Sequence, residues 1–291
     1  MNIRRLAVVT AVGALALTGC GREGGTGTTA VTQSAAASVA VAGSPTFDRI
    51  KARGKVIIGV KEDQPNLGFK DPTTNTYSGF DIEIARLVAA QLGFSADKIE
   101  YKAIPSANRE QEISGGTIDY YVGTYSITDK RKQQISFAGP YFIAGQDLLV
   151  RKDDTSITGP ETLKGKKVCS VTGSTSIERI KAEYKDAQTV EFGKYSQCVE
   201  QLIGKQVDAV TTDDAILKGY AAQQPDALKV VGKPFSKEKY GIGLPKDDTA
   251  MRNKVNDVLA ASVTDGTWKK IYDATLGKSG SPAEAPALER Y

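Results

Sequence analysis

Apolar residues in this chain gather in short continuous runs or recur at helical intervals, with polar, glycine-containing stretches between them. Residues 55–60 form a run of strand length whose continuity suits a strand covered on both faces. In residues 79–93, Ile84, Leu87, Val88 and Leu92 recur at helical spacing and predict an amphipathic helix with one apolar face. Asp81 and Glu83 fall in its first turn, where the helix dipole favours negative charge. Gly93 supplies a left-handed stop. A strand over 99–103 follows, then Pro105, a helix over 106–113 ended by Gly115 and Gly116, and a strand over 118–122. Strands alternating with helices in this way predict a parallel sheet with crossover helices.

From 146–150 the pattern begins again. Strands are expected at 167–171, 189–192 and 207–210, with helices opening at 172–176 and spanning 195–203. Residues 116–119 and 204–208 repeat one design: a helix stop, a short turn and a strand ending in polar residues. The repetition predicts an α/β protein of two lobes, each a mainly parallel sheet flanked by helices. A strand at 240–244 and helices at 248–264 and 266–276 are assigned to the first lobe. Lobe 1 is then 46–147 plus 243–277 and lobe 2 is 148–242, joined by two hinge strands near 147 and 242. Residues 278–291 read as a mobile tail.

The N-terminus has another character. Arg4 and Arg5 precede an apolar run at 6–17 followed by small residues, the layout of a secretory signal. The run is short for a transmembrane helix. Residues 17–20, Leu-Thr-Gly-Cys, resemble the lipobox of bacterial lipoproteins. On that resemblance 1–19 is a signal peptide, Cys20 becomes the lipidated first residue, and 20–45 is a flexible tether. The alternative is an ordinary secreted protein cleaved nearby. In an exported chain Cys169 and Cys198 are expected to pair; the other reading, a reactive thiol, lacks a histidine or an obvious basic neighbour to lower its pKa.

At 291 residues, 40% hydrophobic and 25% charged, the chain has an ordinary soluble composition. Its formal charge of +4 falls to about +2 once Arg4 and Arg5 are cleaved, and no basic patch dominates, so nucleic acid is not an expected partner. There is no histidine, which removes that residue as general base, metal ligand or triad member. The chemistry gathers instead at 123–131, Gly-Thr-Tyr-Ser-Ile-Thr-Asp-Lys-Arg, where a buried strand ends in hydroxyls and one guanidinium. Open α/β sheets bind ligands at such strand ends, and a guanidinium fork matches the two oxygens of a carboxylate. Taken alone, the stretch also suits a plain loop in which Thr128 or Asp129 caps the next turn.

These pieces together resemble the family 3 extracellular solute-binding proteins, the amino-acid receptors of ABC importers, over about residues 46–276. The helix at 79–93, the loop 126–131, the turn 171–175, the corner 211–214, 240–245 and 265–268 carry the resemblance. Residues 106–110 and the two cysteines are similar to the glutamate-type receptors of actinobacteria. The resemblance implies the type II periplasmic-binding-protein fold. It implies Arg131 as the carboxylate ligand, aided by Ser174, Thr175 and Thr172 at a helix N-terminus. Asp213 would bind the ammonium group, with the Thr124 carbonyl and Ser126 hydroxyl completing the cage; the adjacent Asp214 competes for that role. Lys61 and Arg109 stand where relatives for other substrates carry an acid and an aromatic. Lining the pocket, they would favour a second carboxylate, with Gln64 adding an amide; alternatively both are surface charges. The expectation is a monomeric, lipid-anchored receptor that closes on L-glutamate, or on L-aspartate, L-glutamine or L-asparagine, and docks on ABC permease subunits. No cofactor, metal or catalysis is expected, and no Walker loop is present. The rival readings are a sensor for a membrane partner and an exported dehydratase, for which Glu62 and Asp63 are the nearest candidate acids.

Overall fold

The computed structural model describes residues 31–279 and 284–291; the expected signal peptide and Cys20 lie outside them. The first helix among the described residues is α1 (Pro45–Arg53), whose N-cap Ser44 accepts from Phe47 N. Strand β1 (Val56–Val60) follows, then a small antiparallel sheet of β2 (Asp63–Gln64), β3 (Gly68–Lys70) and β4 (Tyr77–Ser78). Helix α2 (Phe80–Gln91), β5 (Ile99–Ala103), α3 (Arg109–Ser114), β6 (Tyr120–Tyr121), the short α4 (Asp129–Lys132) and β7 (Ser136–Ala144) complete the first passage.

The second passage runs β8 (Gln146–Arg151), β9 (Lys167–Val171), α5 (Thr175–Glu183), β10 (Gln188–Phe192), α6 (Tyr195–Ile203), β11 (Ala209–Asp213), α7 (Asp214–Gln223) and β12 (Leu228–Val230). Strand β13 (Glu238–Leu244) then returns to the first sheet, followed by α8 (Thr249–Thr264) and α9 (Thr267–Ala274).

The two large sheets have matching orders, β5-β1-β6-β13-β7 and β10-β9-β11-β8-β12. In each, the first three strands are parallel and the last two join antiparallel. The antiparallel additions are the price of crossing between lobes, since β7 and β13 are the strands by which the chain leaves and re-enters lobe 1. The re-entry lies before Glu238, earlier than the boundary expected near 242, because β13 already pairs with Ala144 at Glu238. Strand β11 runs through Thr211 and Thr212, beyond the expected end at 210, because the Thr211 hydroxyl finds the Asp147 carbonyl (2.9 Å) and needs no solvent. Cys169 on β9 and Cys198 on α6 form a disulfide with a Cα–Cα distance of 5.6 Å. Closing a loop of 29 residues, it contributes roughly 3–4 kcal/mol by limiting the unfolded chain.

Three expectations need correction. Helix α2 is buried almost all round, Asp81 and Glu83 included, rather than on one face. Residues 31–45 do not behave wholly as a tether: Val31 and Val39 pack on the core, and Ala36 N bonds the Ala90 carbonyl at 2.8 Å. Nor are residues 284–291 a free tail. Glu289 N donates to Gly139 O (2.8 Å), the Tyr291 hydroxyl accepts from Phe137 N (2.7 Å), and the Arg252 guanidinium lies 4.3 Å from the Tyr291 ring centre. Apolar Leu288 anchors the segment on the same side.

Candidate functional site

The sheets aim their strand ends at each other. On the first lobe, the chain beyond β6 turns through Thr124, held at a φ of 47° by Asp81, whose carboxylate accepts from Thr124 N (2.9 Å) and from the Tyr141 hydroxyl (2.7 Å). Burial pushes the Asp81 pKa up to about 6, offset by those two bonds. The sequence had assigned Asp81 only a helix-start role; no local signal reveals a partner this far along the chain.

Arg131 sits on α4, whose cap Thr128 accepts from Arg131 N (3.2 Å). Its guanidinium donates to Ser126 O (2.7 Å), to Glu110 Oε1 (3.1 Å) and, across the cleft, to Gly173 O (3.0 Å). Arg109 reaches the same Gly173 carbonyl (3.3 Å) and bonds Ser106 O (3.1 Å). Both guanidinia lie against the Tyr125 ring, at 4.1 Å for Arg109 and 4.9 Å for Arg131. Burial, and then the neighbouring Arg109 charge, push the Arg131 pKa down to about 10. Two buried cations therefore share one corner, with Glu110 as the carboxylate paired to it. Such a corner favours an incoming anion.

From the second lobe come the β9–α5 turn and the end of β11. Gly173 holds a φ of 79°, and Ser174 caps α5 by accepting from Ile177 N (3.1 Å). The Thr175 hydroxyl approaches Ser126 Oγ (3.5 Å) and donates to Glu238 (3.2 Å). Asp213 Oδ2 accepts from the Tyr240 hydroxyl (2.6 Å), while Oδ1 is buried with no partner. Burial first, then the Glu238 charge, push the Asp213 pKa up to about 7. A buried acceptor without a donor is costly, and a cation is the group that would satisfy it. Asp214 is otherwise engaged: it accepts from Gly145 N (3.2 Å) and pairs with Lys218 (2.6 Å).

Arg109, Thr124, Ser126, Arg131, Ser174, Thr175 and Asp213 thus face one small void, of about 10 Å³. Ser106, Ser176, Tyr195 and Ile216, which the sequence reading missed, complete its wall. Lys61, Gln64 and Thr172 do not line it. Lys61 turns behind β5, donating to Ser106 Oγ (2.8 Å) and Ile104 O (3.4 Å), and burial pushes its pKa down to about 7. Gln64 lies behind Thr124, accepting from its hydroxyl (3.2 Å). Thr172 is exposed, its amide spent on Phe192 O (3.1 Å). Glu62 and Asp63 are used between the lobes, Glu62 with Lys194 (2.6 Å) and Asp63 with Ser196 N (3.1 Å). Among the described residues, no cluster of acidic or cysteine side chains is arranged to hold a metal ion, and no helix is long and apolar enough to cross a membrane.

Chemically the void is divided: guanidinium and helix N-terminus on one side, carboxylate and hydroxyls on the other. That division suits a zwitterion. Residues 56–278 match the profile of the bacterial extracellular solute-binding proteins, family 3. Among curated proteins, the chain is 37% identical over 305 residues to the glutamate-binding protein GluB of Corynebacterium efficiens, covering 98% of this chain and 97% of that one. It is 39% identical over 242 residues to a glutamine-binding protein of Geobacillus stearothermophilus, covering 83% and 91%. Among solved structures, an ancestral arginine-binding protein bound to arginine superposes with a TM-score of 0.71 at 37% identity, covering 76% of this chain and 97% of that one.

Proposed function

The chain belongs to the family 3 extracellular solute-binding proteins of bacteria, and from that premise we propose that it is the extracytoplasmic receptor of an ABC importer whose ligand is L-glutamate. The observation that carries the ligand assignment is the convergence of two buried guanidinia, Arg109 and Arg131, on the single Gly173 carbonyl opposite Asp213. Asp213 takes the ammonium group. Arg131 and the first turn of α5 take the α-carboxylate, and Arg109 takes the side-chain carboxylate. One cation would satisfy an α-carboxylate; a second buried guanidinium has no role with a neutral side chain and stays costly unless paired. L-Aspartate, L-glutamine and L-asparagine are the secondary ligands, each giving up part of that pairing.

Binding proceeds by hinge closure about β7 and β13. Ligand held on the first lobe draws in Gly173 and Asp213 of the second, and the gain from contacting both lobes at once drives the closed form. The closed form docks on the permease, with the protein held at the membrane through Cys20. The protein is a receptor, not an enzyme: Asp213 has a raised pKa, but its role is to meet a cation, and glutamate leaves unchanged.

Calorimetric titration with the proteinogenic amino acids tests the assignment. L-Glutamate is expected to bind tightest and to be recovered intact from the complex. Replacing Arg131→Gln should weaken it about 100-fold, the loss of a charge-assisted bidentate contact. Undiminished binding by that variant, or arginine ranking first, would overturn the reading.

A further inference from the structure

Glu238 opens β13 at the hinge, is almost fully buried, and has not been assigned any part in recognition. Its Oε1 accepts from Ser236 Oγ (2.8 Å) and from Arg179 (3.1 Å); its Oε2 accepts from the Thr175 hydroxyl (3.2 Å). The Ser126 hydroxyl lies 3.5 Å from Thr175 Oγ1, within reach of the lone pairs that Thr175 keeps while it donates to Glu238. Burial would raise the Glu238 pKa, but the surrounding hydroxyls and the Arg179 charge hold it below the usual carboxylate range, so the group remains an acceptor.

The consequence follows from counting hydrogens. A hydroxyl owns one hydrogen and two lone-pair sites. Thr175 from the second lobe gives its hydrogen to Glu238, which leaves its oxygen free to accept from Ser126 of the first lobe, so both hydrogens are spent and only lone pairs remain to face the void. Beside them the partnerless Asp213 Oδ1 is another acceptor. With Asp213 ionised, as a bound ammonium would keep it, this corner contains hydroxyls that do not donate and a carboxylate that only accepts. We propose that Glu238 is a specificity-positioning residue: by taking the hydrogen of Thr175, and through Thr175 that of Ser126, it makes the amine corner acceptor-only, so that a protonated amine with three hydrogens fits it better than a hydroxyl with one, and a carboxylate with none does not fit.

This inference rests on the amino-acid reading given above, with the amine at Asp213. It assigns the Thr175 hydroxyl to the amine side; the anion is left to the backbone of the turn. Glu238 need not touch the ligand. Its influence passes through two hydroxyls, which distinguishes it from a second amine ligand.

The test compares L-glutamate with L-2-hydroxyglutarate, in which a hydroxyl replaces the amine, in the wild type, Glu238→Gln and Arg179→Gln. In Glu238→Gln the amide can donate to the Thr175 hydroxyl and free its hydrogen to turn toward the void. Glutamate is expected to weaken by about tenfold or more, the scale of a lost charged hydrogen-bond arrangement. 2-Hydroxyglutarate should hold or strengthen, so the ratio of the two dissociation constants narrows by at least that factor. Arg179→Gln breaks the ion pair yet keeps the carboxylate, and should retain the wild-type ratio. Parallel losses for both ligands in Glu238→Gln, or an equal collapse of the ratio in Arg179→Gln, would make Glu238 a scaffold ion pair and overturn the proposal. A wild type that binds no amino acid would overturn the functional reading as well, and the wild-type titration alone identifies that case.

Discussion

Asp213 is 4% exposed, has one carboxylate oxygen without a partner, and has its pKa pushed up to about 7 by burial and then by Glu238. A folded-state value above the unfolded value near 3.8 means that the folded state holds the proton more tightly. The group therefore costs nothing below the unfolded value, costs progressively more as pH rises from about 4 to 7, and costs its full amount above 7. Asp213→Asn removes the charge but keeps an oxygen for the Tyr240 hydroxyl. At pH 8 the variant should be more stable by about 2–4 kcal/mol in urea unfolding, while glutamate binding falls about 100-fold or more. Equal or lower stability at pH 8 would mean that the carboxylate is not isolated. The cations make a paired prediction. Arg109 lines the void and Lys61 does not, so Arg109→Met should weaken glutamate by tenfold or more relative to glutamine, about the effect of one buried charge pair. Lys61→Met should shift both ligands equally, and a glutamate-selective loss there would place Lys61 back in the pocket. Arg131 and Asp213 line the void as the sequence led one to expect, because each belongs to a compact polar motif, Arg131 on α4 beyond β6 and Asp213 at the end of β11. Lys61 could not be read in that way, because at the end of a strand a turn of one residue decides which side of the sheet a side chain reaches.

The turn joining β9 to α5 is where an element carries the site. Gly173 has a φ of 79°, and a Cβ there would lie 2.7 Å from Ala107 Cα and 2.9 Å from Ala107 N, backbone of the opposite lobe. Neither atom can move aside as a side-chain tip would. Gly173→Ala should thus leave the second lobe folded, at about 1 kcal/mol for the unfavourable dihedral, yet hold the lobes apart. The expected result is a glutamate affinity lower by roughly 10–100-fold with an unfolding midpoint little changed, as closure by only about 1–10% of molecules would give. An unaltered affinity would show that the turn does not approach Ala107 in the bound state. Regular elements were largely legible, since continuous apolar runs and helical spacing survive in the sequence wherever one layer covers another. What escaped was environment. Helix α2 reads as amphipathic, yet α8 and α9 and the segment before α1 cover it from the side that periodicity left to solvent. Terminal segments rich in small and polar residues carry no periodic signal, so the docking of Val31, Leu288 and Tyr291 depended on single anchors.

Across the whole molecule, the lobes also meet on a rim that takes no part in lining the void. The Asp63 carboxylate accepts from Ser196 N at the start of α6 (3.1 Å), and the Tyr220 hydroxyl of α7 bonds both the Asp63 carbonyl and its carboxylate. Glu62 pairs with Lys194 (2.6 Å), though that pair is half exposed and worth little. Partners separated by 133 and 157 residues gave the sequence no means of declaring them. These contacts join the small β2–β4 sheet of one lobe to helices of the other, so they exist only while the lobes are shut. Any contact confined to the shut form biases closure and enters the dissociation constant as a factor common to every ligand. Removing two such bonds by Asp63→Ala with Tyr220→Phe, at about 1 kcal/mol each, should weaken glutamate and glutamine alike by about 5–30-fold. The loss should appear as faster dissociation in stopped-flow measurements and as a larger radius of gyration at subsaturating ligand in solution scattering. The ranking of ligands must stay as it was, because every group facing the ligand remains in place. A changed ranking would mean that the rim reaches the pocket through Lys61 and Ser106, and an unchanged affinity would mean that ligand contacts alone hold the two lobes together.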